Sequence, residues 1–420
     1  MGDFDIVICG AGPAGSTAAR TAAKAGLKVL LVDKDEFPRD KVCGGGLRPE
    51  ILESPEFSYV TERKKDFLEG SSTSARLYGS KPSHFIAYDA PASEPLVYGT
   101  SRRKFDEVLF RLAQEAGVEA WTKTIVKSVK ITKDYVEISL EGGRTVKAGI
   151  VIGAGGMQDP VAKVLRAKEG LPPSWPMEDI GFAVAHEYEV GEEFIKEAFG
   201  PRRTIHMHLK PEGIYGYAWA FPRRTFINVG FGAFLKDIKG FDLKAGFKGY
   251  LSLLKRSGLF PKEINEVSFK GARIPLRGPI ERTSSDRMLL VGDAAGFVSP
   301  ISGDGISFAM ASGKMAADVA VQCMKEGDCS RTALASYDRI WKHLWKEDFQ
   351  VLCHIADIVE GNLDSIVEVC QKDEKLVKML VGVYNGRARP SKVVNSMKRR
   401  YLRGMLLRKL SGKGDGRVKH

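Results

Sequence analysis

The stretch Cys9-Gly10-Ala11-Gly12-Pro13-Ala14-Gly15-Ser16 decides the fold of this chain. The apolar segment 4–8 before it predicts a strand, and the alanine-rich segment 18–26 after it predicts a helix that ends at glycine. A second apolar segment, 28–32, stops at Asp33. Strand, glycine-rich turn, helix, strand and acid in this order predict a dinucleotide-binding unit. The turn alone does not distinguish FAD from NAD.

Two features of this unit suit a dinucleotide. The helix N-terminus offers backbone N–H groups and a partial positive charge to the phosphates. Asp33 stands where a carboxylate accepts hydrogen bonds from a ribose. The alternative is a glycine turn with a purely structural role, but such a turn does not require the flanking strands and the acid.

Size and composition narrow the class of protein. The 420 residues, 43% hydrophobic and 28% charged, have the composition of a globular chain with two or three domains. No apolar run approaches the roughly 20 residues of a membrane span. Six cysteines without a CxxC pair argue against a disulfide framework or a zinc site. Because the chain opens on a core strand, we expect no signal or transit peptide and a cytoplasmic location.

The net charge of +12 is concentrated near the C-terminus. Residues 391–420 hold ten Lys and Arg and one acid, Asp415. This favours contact with an anionic surface over a nucleic-acid channel, so we expect no nucleic-acid partner. Within this tail Val394, Met397, Tyr401 and Met405 recur at helical spacing among the cations. An interfacial helix on anionic lipid, a solvated basic helix and a disordered tail all fit this pattern.

A second strong motif lies late in the chain. Gly292-Asp293-Ala294-Ala295-Gly296 follows an apolar strand, and Pro300 and Gly303-Asp304-Gly305-Ile306 follow the motif. Asp293 can accept hydrogen bonds from a ribityl chain, and the next helix N-terminus can face a flavin and the phosphates. Together with the N-terminal unit this motif indicates FAD.

The remaining pattern predicts an α/β (α+β) fold. A sheet meander between two Rossmann-like strands favours a glutathione-reductase-type FAD domain made of residues 1–47, 99–165 and 276–330. Residues 48–98 and 166–275 predict an inserted antiparallel-sheet domain for the substrate. Residues 331–420 predict a helical region with the basic tail. In the loop 38–47 three consecutive glycines permit close backbone approach to a flat group, with a flexible linker as the alternative.

The chain resembles the FAD-dependent oxidoreductases of the para-hydroxybenzoate hydroxylase fold. Their pattern joins the N-terminal turn, an Arg-x-x-Phe-Asp helix start and the late Gly-Asp motif, and Arg102 with Phe105-Asp106 matches the middle part. Tyr217-x-Trp219-x-Phe221-Pro222, then Gly230-x-Gly232, narrows the resemblance to the geranylgeranyl reductase family, as does Lys41-x-Cys43-Gly44. Flavin halogenases share the fold but typically carry Trp-x-Trp-x-Ile-Pro.

This resemblance implies an enzyme, similar to digeranylgeranylglycerophospholipid reductases, that saturates isoprenoid double bonds with hydride from reduced FAD. The resemblance leaves open whether the isoprenoid substrate is part of an ether lipid, a quinone or a chlorophyll. The implied catalytic residues are Cys43, Tyr217, Trp219 and Phe221. The implied cofactor-binding residues are Gly10, Gly12, Ala14, Gly15, Asp33, Lys34, Cys43, Gly44, Gly46, Arg102, Val126, Asp293, Gly303, Gly305 and Ile306. No metal site is expected.

Two roles are open for these candidates. Tyr217, Trp219 and Phe221 alternate and so share one face of a strand, either lining an apolar tunnel or filling a sheet core. Cys43 is either at the isoalloxazine, shaping the site or assisting protonation, or a small buried residue.

One departure bears on the electron donor. Related hydroxylases carry Gly-Ala-Asp-Gly, with an Asp tied to NAD(P)H use, where this chain has Gly153-Ala154-Gly155-Gly156. The electron donor is therefore open among NAD(P)H, a ferredoxin and others.

Two other functions compete with the reductase: an FAD monooxygenase acting on an apolar aromatic compound, and a non-catalytic flavoprotein that docks on membranes. Peripheral contact with the inner face of the membrane is an open option for both the reductase and the docking protein.

Overall fold

The computed structural model describes residues 2–79 and 84–411, which form three sheets and a series of helices. The strands are β1 (Phe4–Cys9), β2 (Val29–Val32), β3 (Gly46–Leu47), β4 (Leu68–Ser72), β5 (Ser74–Tyr78), β6 (Phe85–Asp89), β7 (Val97–Thr100), β8 (Glu119–Trp121), β9 (Val126–Ile131), β10 (Val136–Leu140), β11 (Thr145–Gly153), β12 (Ile180–Glu189), β13 (Ile205–Leu209), β14 (Gly216–Pro222), β15 (Phe226–Phe234), β16 (Lys270–Pro275), β17 (Ser284–Ser285) and β18 (Met288–Leu290). The α-helices are α1 (Pro13–Lys24), α2 (Pro49–Glu53), α3 (Ser58–Thr61), α4 (Lys64–Phe67), α5 (Arg102–Glu115), α6 (Pro160–Lys168), α7 (Glu192–Phe199), α8 (Leu243–Arg256), α9 (Ile306–Glu326), α10 (Arg331–Trp341), α11 (Glu347–Gln371), α12 (Glu374–Tyr384) and α13 (Pro390–Ser411).

An eight-stranded sheet carries the N-terminal glycine turn. Its main order is β17-β18-β11-β1-β2-β8, and the β9–β10 meander is attached to β11. The strands from β18 to β8 are parallel. Every residue of β2 is buried, so both faces of the sheet are covered there, as expected for an apolar parallel strand. The predicted Rossmann-type fold with its meander is confirmed.

A seven-stranded sheet has the order β16-β12-β15-β14-β13-β5-β6. Its pairs are antiparallel except for the parallel pair of β13 and β5. Residues of β15 that include Ile227, Val229 and Phe231 pack with α7 and α8 in one apolar core. Residues 166–275 were predicted to form an antiparallel sheet, and these two helices within them were not predicted, although Asp242 caps α8 by accepting from two backbone amides.

The rest of the chain is mostly helical. Helices α2 to α4 lie within residues 49–67, where only strands were expected, and β3 and β4 of the small sheet β3-β7-β4 flank them in sequence. From α9 onward the described chain is helical except for short turns, and a π-helix at Lys342–Lys346 joins α10 to α11. None of the described helices has the length and apolar character needed to cross a membrane. Residues 412–420, the last part of the basic tail named in the sequence analysis, lie outside the residues that the structure describes.

Candidate active site

The N-terminal turn has one side for packing and one side open to a ligand. Gly10 has φ +104°, and a Cβ there would lie 2.5 Å from the carbonyl oxygen of Ala154. A Cβ on Gly15 would lie 1.8 Å from the carbonyl oxygen of Gly10. Gly15 therefore lets α1 pack on the turn, and it does not line the cavity that Gly10, Gly12 and Ala14 line.

Asp33 follows β2 beside this turn. Its Oδ2 accepts a hydrogen bond from the backbone N–H of Ala11 at 2.6 Å, and its Oδ1 accepts one from that of Asp35 at 2.9 Å. The two bonds fix the carboxylate at the wall of the cavity, which Lys34 and Val126 also line. A carboxylate held in this place can accept the hydroxyl groups of a ribose.

Arg102 begins α5, whose first turn is capped by Ser101. Its Nε and Nη2 each donate to the carboxylate of Asp106 at 2.7 Å, and Asp106 is fully buried. Burial by itself would lower the pKa of Arg102, but the charge and hydrogen bonds of Asp106 outweigh it and raise the pKa. Asp106, the Asp of the Arg-x-x-Phe-Asp motif, thus holds the charged Arg102 at the cavity wall.

Arg39 joins this ion pair, although no sequence motif marked it. Its Nη2 lies 3.1 Å from Asp106 Oδ2, and its Nη1 is buried without a hydrogen-bond partner among the described residues. The same guanidinium lies 3.7 Å from where a Cβ on Gly12 would be. A buried guanidinium with a free donor, beside a glycine turn and a helix N-terminus, fits a phosphate group.

The late Gly-Asp motif forms the second turn at the cavity. Gly292 and Gly303 have φ +56° and +68°, and Asp293 lines the cavity with a carboxylate that accepts no hydrogen bond from a described residue. Helix α9 begins at Ile306 without a side-chain cap. Its N-terminus, with Gly303 and Gly305 before it, therefore presents partial positive charge at the cavity wall.

The aromatic side chains of β14 line the same cavity. Tyr217, Trp219 and Phe221 share one face of the strand, as their alternation predicts, with ring centroids 5.4 and 6.1 Å apart. The hydroxyl of Tyr217 donates to the carbonyl oxygen of Ser302 at 2.7 Å, which ties the sheet to the loop before α9. Burial raises the pKa of Tyr217 well above its ordinary value, so the phenol is neutral at physiological pH.

Packing explains the glycines that accompany this aromatic motif. A Cβ on Gly230 would lie 2.0 Å from the Trp219 ring, so the indole can cross the neighbouring strand only at a glycine. A Cβ on Gly44 would lie 3.1 Å from the ring of Phe221. The loop 38–47 and the aromatic strand, far apart in sequence, therefore pack against each other.

Cys43 lies in this contact between loop and strand. It is half-buried and lines the cavity together with Gly44 and Gly46. Its Sγ accepts a hydrogen bond from the backbone N–H of Gly45 at 3.4 Å. This position puts the thiol in contact with whatever fills the cavity.

One cavity of about 1430 Å³ joins all these parts. Sites for a single small molecule usually occupy roughly 300–1,000 Å³, so this cavity has room for a dinucleotide and a second ligand. Every predicted site residue except Gly15 lines it. The lining also includes a set of apolar side chains that no motif marked: Phe182, Leu209, Phe234, Ile274, Leu276 and Ile301.

The C-terminal helices supply a wall that the sequence analysis missed. Ala356, Val359 and Leu363 of α11 line the cavity, as does Tyr384 at the end of α12. Burial raises the pKa of Tyr384 to about 12. These residues have the spacing of any amphipathic helix, so only tertiary contacts distinguish a cavity wall from a core.

Asp159 is a further cavity residue that no sequence motif marked. It explains why position 155 is glycine here, where related hydroxylases carry an Asp. Its carboxylate accepts hydrogen bonds from the backbone N–H groups of Gly155 at 2.7 Å and Ala162 at 2.8 Å, and so caps α6. A Cβ on Gly155 would lie 2.8 Å from Asp159 Oδ2, too close for a side chain. Burial raises the pKa of Asp159 to about 6. The glycine run is therefore adapted to this buried carboxyl group, which also lines the cavity.

Known proteins resemble this chain in sequence along most of its length. Residues 5–163 match a family model described as FAD dependent oxidoreductase. The chain is 31% identical to digeranylgeranylglycerophospholipid reductase 1 of Methanopyrus kandleri, over 90% of this chain and 96% of that protein. It is 30% identical to the digeranylgeranylglycerophospholipid reductase of Methanocaldococcus jannaschii, over 81% and 82%.

Solved structures resemble it in fold. A geranylgeranyl bacteriochlorophyll reductase-like protein from Thermoplasma acidophilum is 25% identical, with a TM-score of 0.77 over 94% of this chain and 99% of that one. A flavin-dependent brominase, 21% identical with a TM-score of 0.70 over 94% and 98%, shows the fold alone. Since sequence identity to the reductases reaches 31% over nearly the full length of both chains, this chain belongs to the digeranylgeranylglycerophospholipid reductase family and is an FAD-dependent oxidoreductase.

Proposed function

We propose that this protein saturates carbon–carbon double bonds in the geranylgeranyl chains of a glycerophospholipid. The observation that carries the proposal is the shape of the cavity, in which two glycine turns and an apolar aromatic wall border one continuous space. The names of the relatives support the substrate class. An isolated double bond offers no hydrogen-bonding group, so an enzyme recognises it by apolar contact and shape.

The described residues fit FAD from one end to the other. We assign Asp33 to the adenosine ribose, and the first turn with Arg39 and Arg102 to the pyrophosphate. We assign Asp293 and the N-terminus of α9 to the flavin end. When bound and reduced, FAD supplies hydride to one carbon of the double bond, and the other carbon takes a proton.

The chain itself supplies orientation and a dry space. Trp219 and Phe221 form a rigid wall against the Cys43 loop, and Tyr217 ties that wall to the loop before α9. Helix α11 covers another side with small and aliphatic side chains. These surfaces would hold a prenyl chain extended beside the cofactor and exclude water from the reacting bond.

Mass spectrometry tests this proposal directly. FAD-loaded protein, reduced with dithionite and mixed with a geranylgeranyl glycerophospholipid, should add two hydrogen atoms per reduced bond. No mass gain with any prenyl lipid would contradict the reductase. Replacing dithionite with NADPH or with a reduced ferredoxin identifies the donor, and an oxygen electrode detects the coupled oxygen consumption that a monooxygenase requires.

We also propose that α13 docks the protein on an anionic lipid surface. The stripe Val394, Met397, Tyr401 and Met405, which the sequence suggested for lipid contact, is not the face available for it, because Met397 is buried and Tyr401 and Met405 pack against the helical core. The outward face carries Leu402, Leu406 and Leu407, which are 56–59% exposed.

Charge on α13 supports the same surface. The helix contains no Asp or Glu, and four of its exposed cations form no ion pair with any described residue: Lys392, Lys398, Arg399 and Arg403. Arg400, in contrast, pairs with Asp373 and fastens α13 to the start of α12. Exposed leucines flanked by unpaired cations fit the interface of an anionic membrane.

A further inference from the structure

A buried amide on β15 joins the aromatic strand β14 to the loop that carries Cys43. Asn228 is 1% exposed and lies directly opposite Phe221 in the pairing of β14 with β15. Residues directly opposite each other on paired strands point to the same face, so Asn228 is on the face of the aromatic motif. No sequence motif marked it.

Both ends of this amide are used. Its Oδ1 accepts a hydrogen bond from Trp219 Nε1 at 2.8 Å, and its Nδ2 donates to the carbonyl oxygen of Cys43 at 2.9 Å and to Glu187 Oε1 at 3.4 Å. The indole N–H can only donate, while the carbonyl and the carboxylate can only accept. The partners therefore fix the orientation of the amide, in which one planar group combines a carbonyl acceptor with an NH2 donor.

Glu187, the third partner of the Asn228 amide, is itself held by a buried arginine. Glu187 Oε1 lies 2.7 Å from Arg223 Nη2, and Arg223 Nη1 lies 2.9 Å from Glu69 Oε2. Arg223 is 2% exposed, and a Cβ on Gly99 would lie 3.1 Å from its Cγ. Arg223 therefore gives Glu187, whose side chain is 38% exposed, a counter-ion held in a fixed place.

We propose that Asn228 is a positioning residue that locks the Trp219 indole and the Cys43 backbone in one arrangement. It thereby sets the spacing between the aromatic wall and the loop that packs against it. The consequence for turnover rests on the proposed reductase function, whereas the positioning itself does not.

Two substitutions separate the two bonds. Asn228→Leu keeps the volume and removes both, whereas Asn228→Asp keeps the acceptor for Trp219 and removes the donor to Cys43. Val229→Ala is the matched control, since Val229 is the next residue on the same strand, fully buried on the opposite face. It destabilises the fold without touching the network.

The first measurement needs no substrate. In FAD-loaded protein, Asn228→Leu should change both the near-UV circular dichroism of tryptophan and the visible circular dichroism of the flavin. Asn228→Asp should change the flavin signal and keep the tryptophan signal, and it also serves if the Leu variant does not fold. Val229→Ala should lower the melting temperature and change neither spectrum. Asn228 variants that lose stability like Val229→Ala with unchanged spectra would show a merely structural residue.

The second measurement asks whether Asn228 acts through Trp219. In the mass-gain assay, losing a buried hydrogen bond should lower kcat about tenfold in Asn228→Leu, with a smaller effect on KM. In a Trp219→Phe background, which lacks the indole donor, the same substitution should cost much less. An equal loss in both backgrounds would overturn the proposal. If the wild-type protein reduces no prenyl lipid, the spectra still decide the positioning role.

Discussion

At the scale of single residues, Asp33 is the clearest case of a ligand-binding side chain that the protein itself holds in its binding orientation. Two backbone amides hold its carboxylate beside the first turn. Replacing Asp33 with Ala removes this acceptor, and the loss of hydrogen bonds to a charged group costs roughly 1.5–3 kcal/mol. We therefore expect FAD to bind about 10- to 100-fold more weakly, measured by fluorescence titration of the apoprotein.

A neighbouring acid provides the control for this prediction. The side chain of Glu36 is 62% exposed, pairs with Lys123 and does not line the cavity. Glu36→Ala should retain FAD nearly as the wild type does. Unchanged flavin occupancy in Asp33→Ala would remove the ribose role from Asp33.

The residues that the sequence revealed are those whose partners are near in the chain. Gly10, Gly12 and Asp33 belong to one short strand–turn–helix–strand pattern, and local geometry dictates their identity. Asn228 instead meets the carbonyl of Cys43 across 185 positions. Arg39 meets Asp106 only after the first sheet and α5 have assembled. Such roles depend on tertiary contact, which a single sequence does not encode in any local pattern.

At the scale of an element, α13 shows how the same helical pattern can face two ways. Its helical nature was predicted from residue spacing, but the stripe that the sequence offered to lipid is the face that packs on the protein. Both faces carry large apolar residues, and only the packing partner distinguishes them. Helices α7 and α8 were missed because the neighbouring strands dominate the pattern of residues 166–275.

The outward face of α13 makes a direct prediction. Substituting Leu402 and Leu406 together with Glu removes two apolar anchors, each worth roughly 1.5–3 kcal/mol when buried, and adds repulsion from anionic lipid. Partition onto vesicles that contain an anionic phospholipid should fall by at least about tenfold, as measured by co-sedimentation.

The control is an exposed leucine elsewhere on the helical region. Leu344, in the π-helix between α10 and α11, is 39% exposed, and Leu344→Glu should leave vesicle binding intact. Equal binding by the α13 double variant and the wild type would exclude α13 as the docking surface.

At the scale of the whole molecule, stability should depend on pH through two buried histidines. His206 and His208 pair with Ala220 and Ala218, so they face away from the cavity, and they lie against Tyr78 and Tyr250. Burial lowers the pKa of His206 to about 3, helped by the nearby His208 and Arg76, and lowers that of His208 to about 4.

The sign of the pH effect follows from these values. In the unfolded chain each imidazole takes up a proton near pH 6.5, whereas the folded protein keeps it neutral. Stability is therefore complete above about pH 6.5 and falls as the pH drops, by roughly 2 kcal/mol for each histidine at pH 5. Melting temperatures between pH 5 and 7 should decrease less steeply in His206→Asn than in the wild type. His343→Asn, at an exposed position, should keep the wild-type slope, and identical slopes in all three proteins would contradict the assignment.

The cavity is itself a property of the whole molecule, because its walls come from both large sheets and from the C-terminal helices. The glycine turns border one part of it and Ala356 of α11 another, so the two ligands should respond to different substitutions. Ala356→Phe places a ring in the cavity, and a steric cost of roughly 1–3 kcal/mol should raise KM for a geranylgeranyl lipid about tenfold. FAD affinity should stay unchanged, because the assigned cofactor contacts lie at the turns.

The control is His354→Phe, which adds the same ring to an exposed position of the same helix and should change neither the KM for the lipid nor the affinity for FAD. If Ala356→Phe instead weakens FAD and leaves lipid kinetics intact, then α11 borders the cofactor and the prenyl chain lies elsewhere in the cavity.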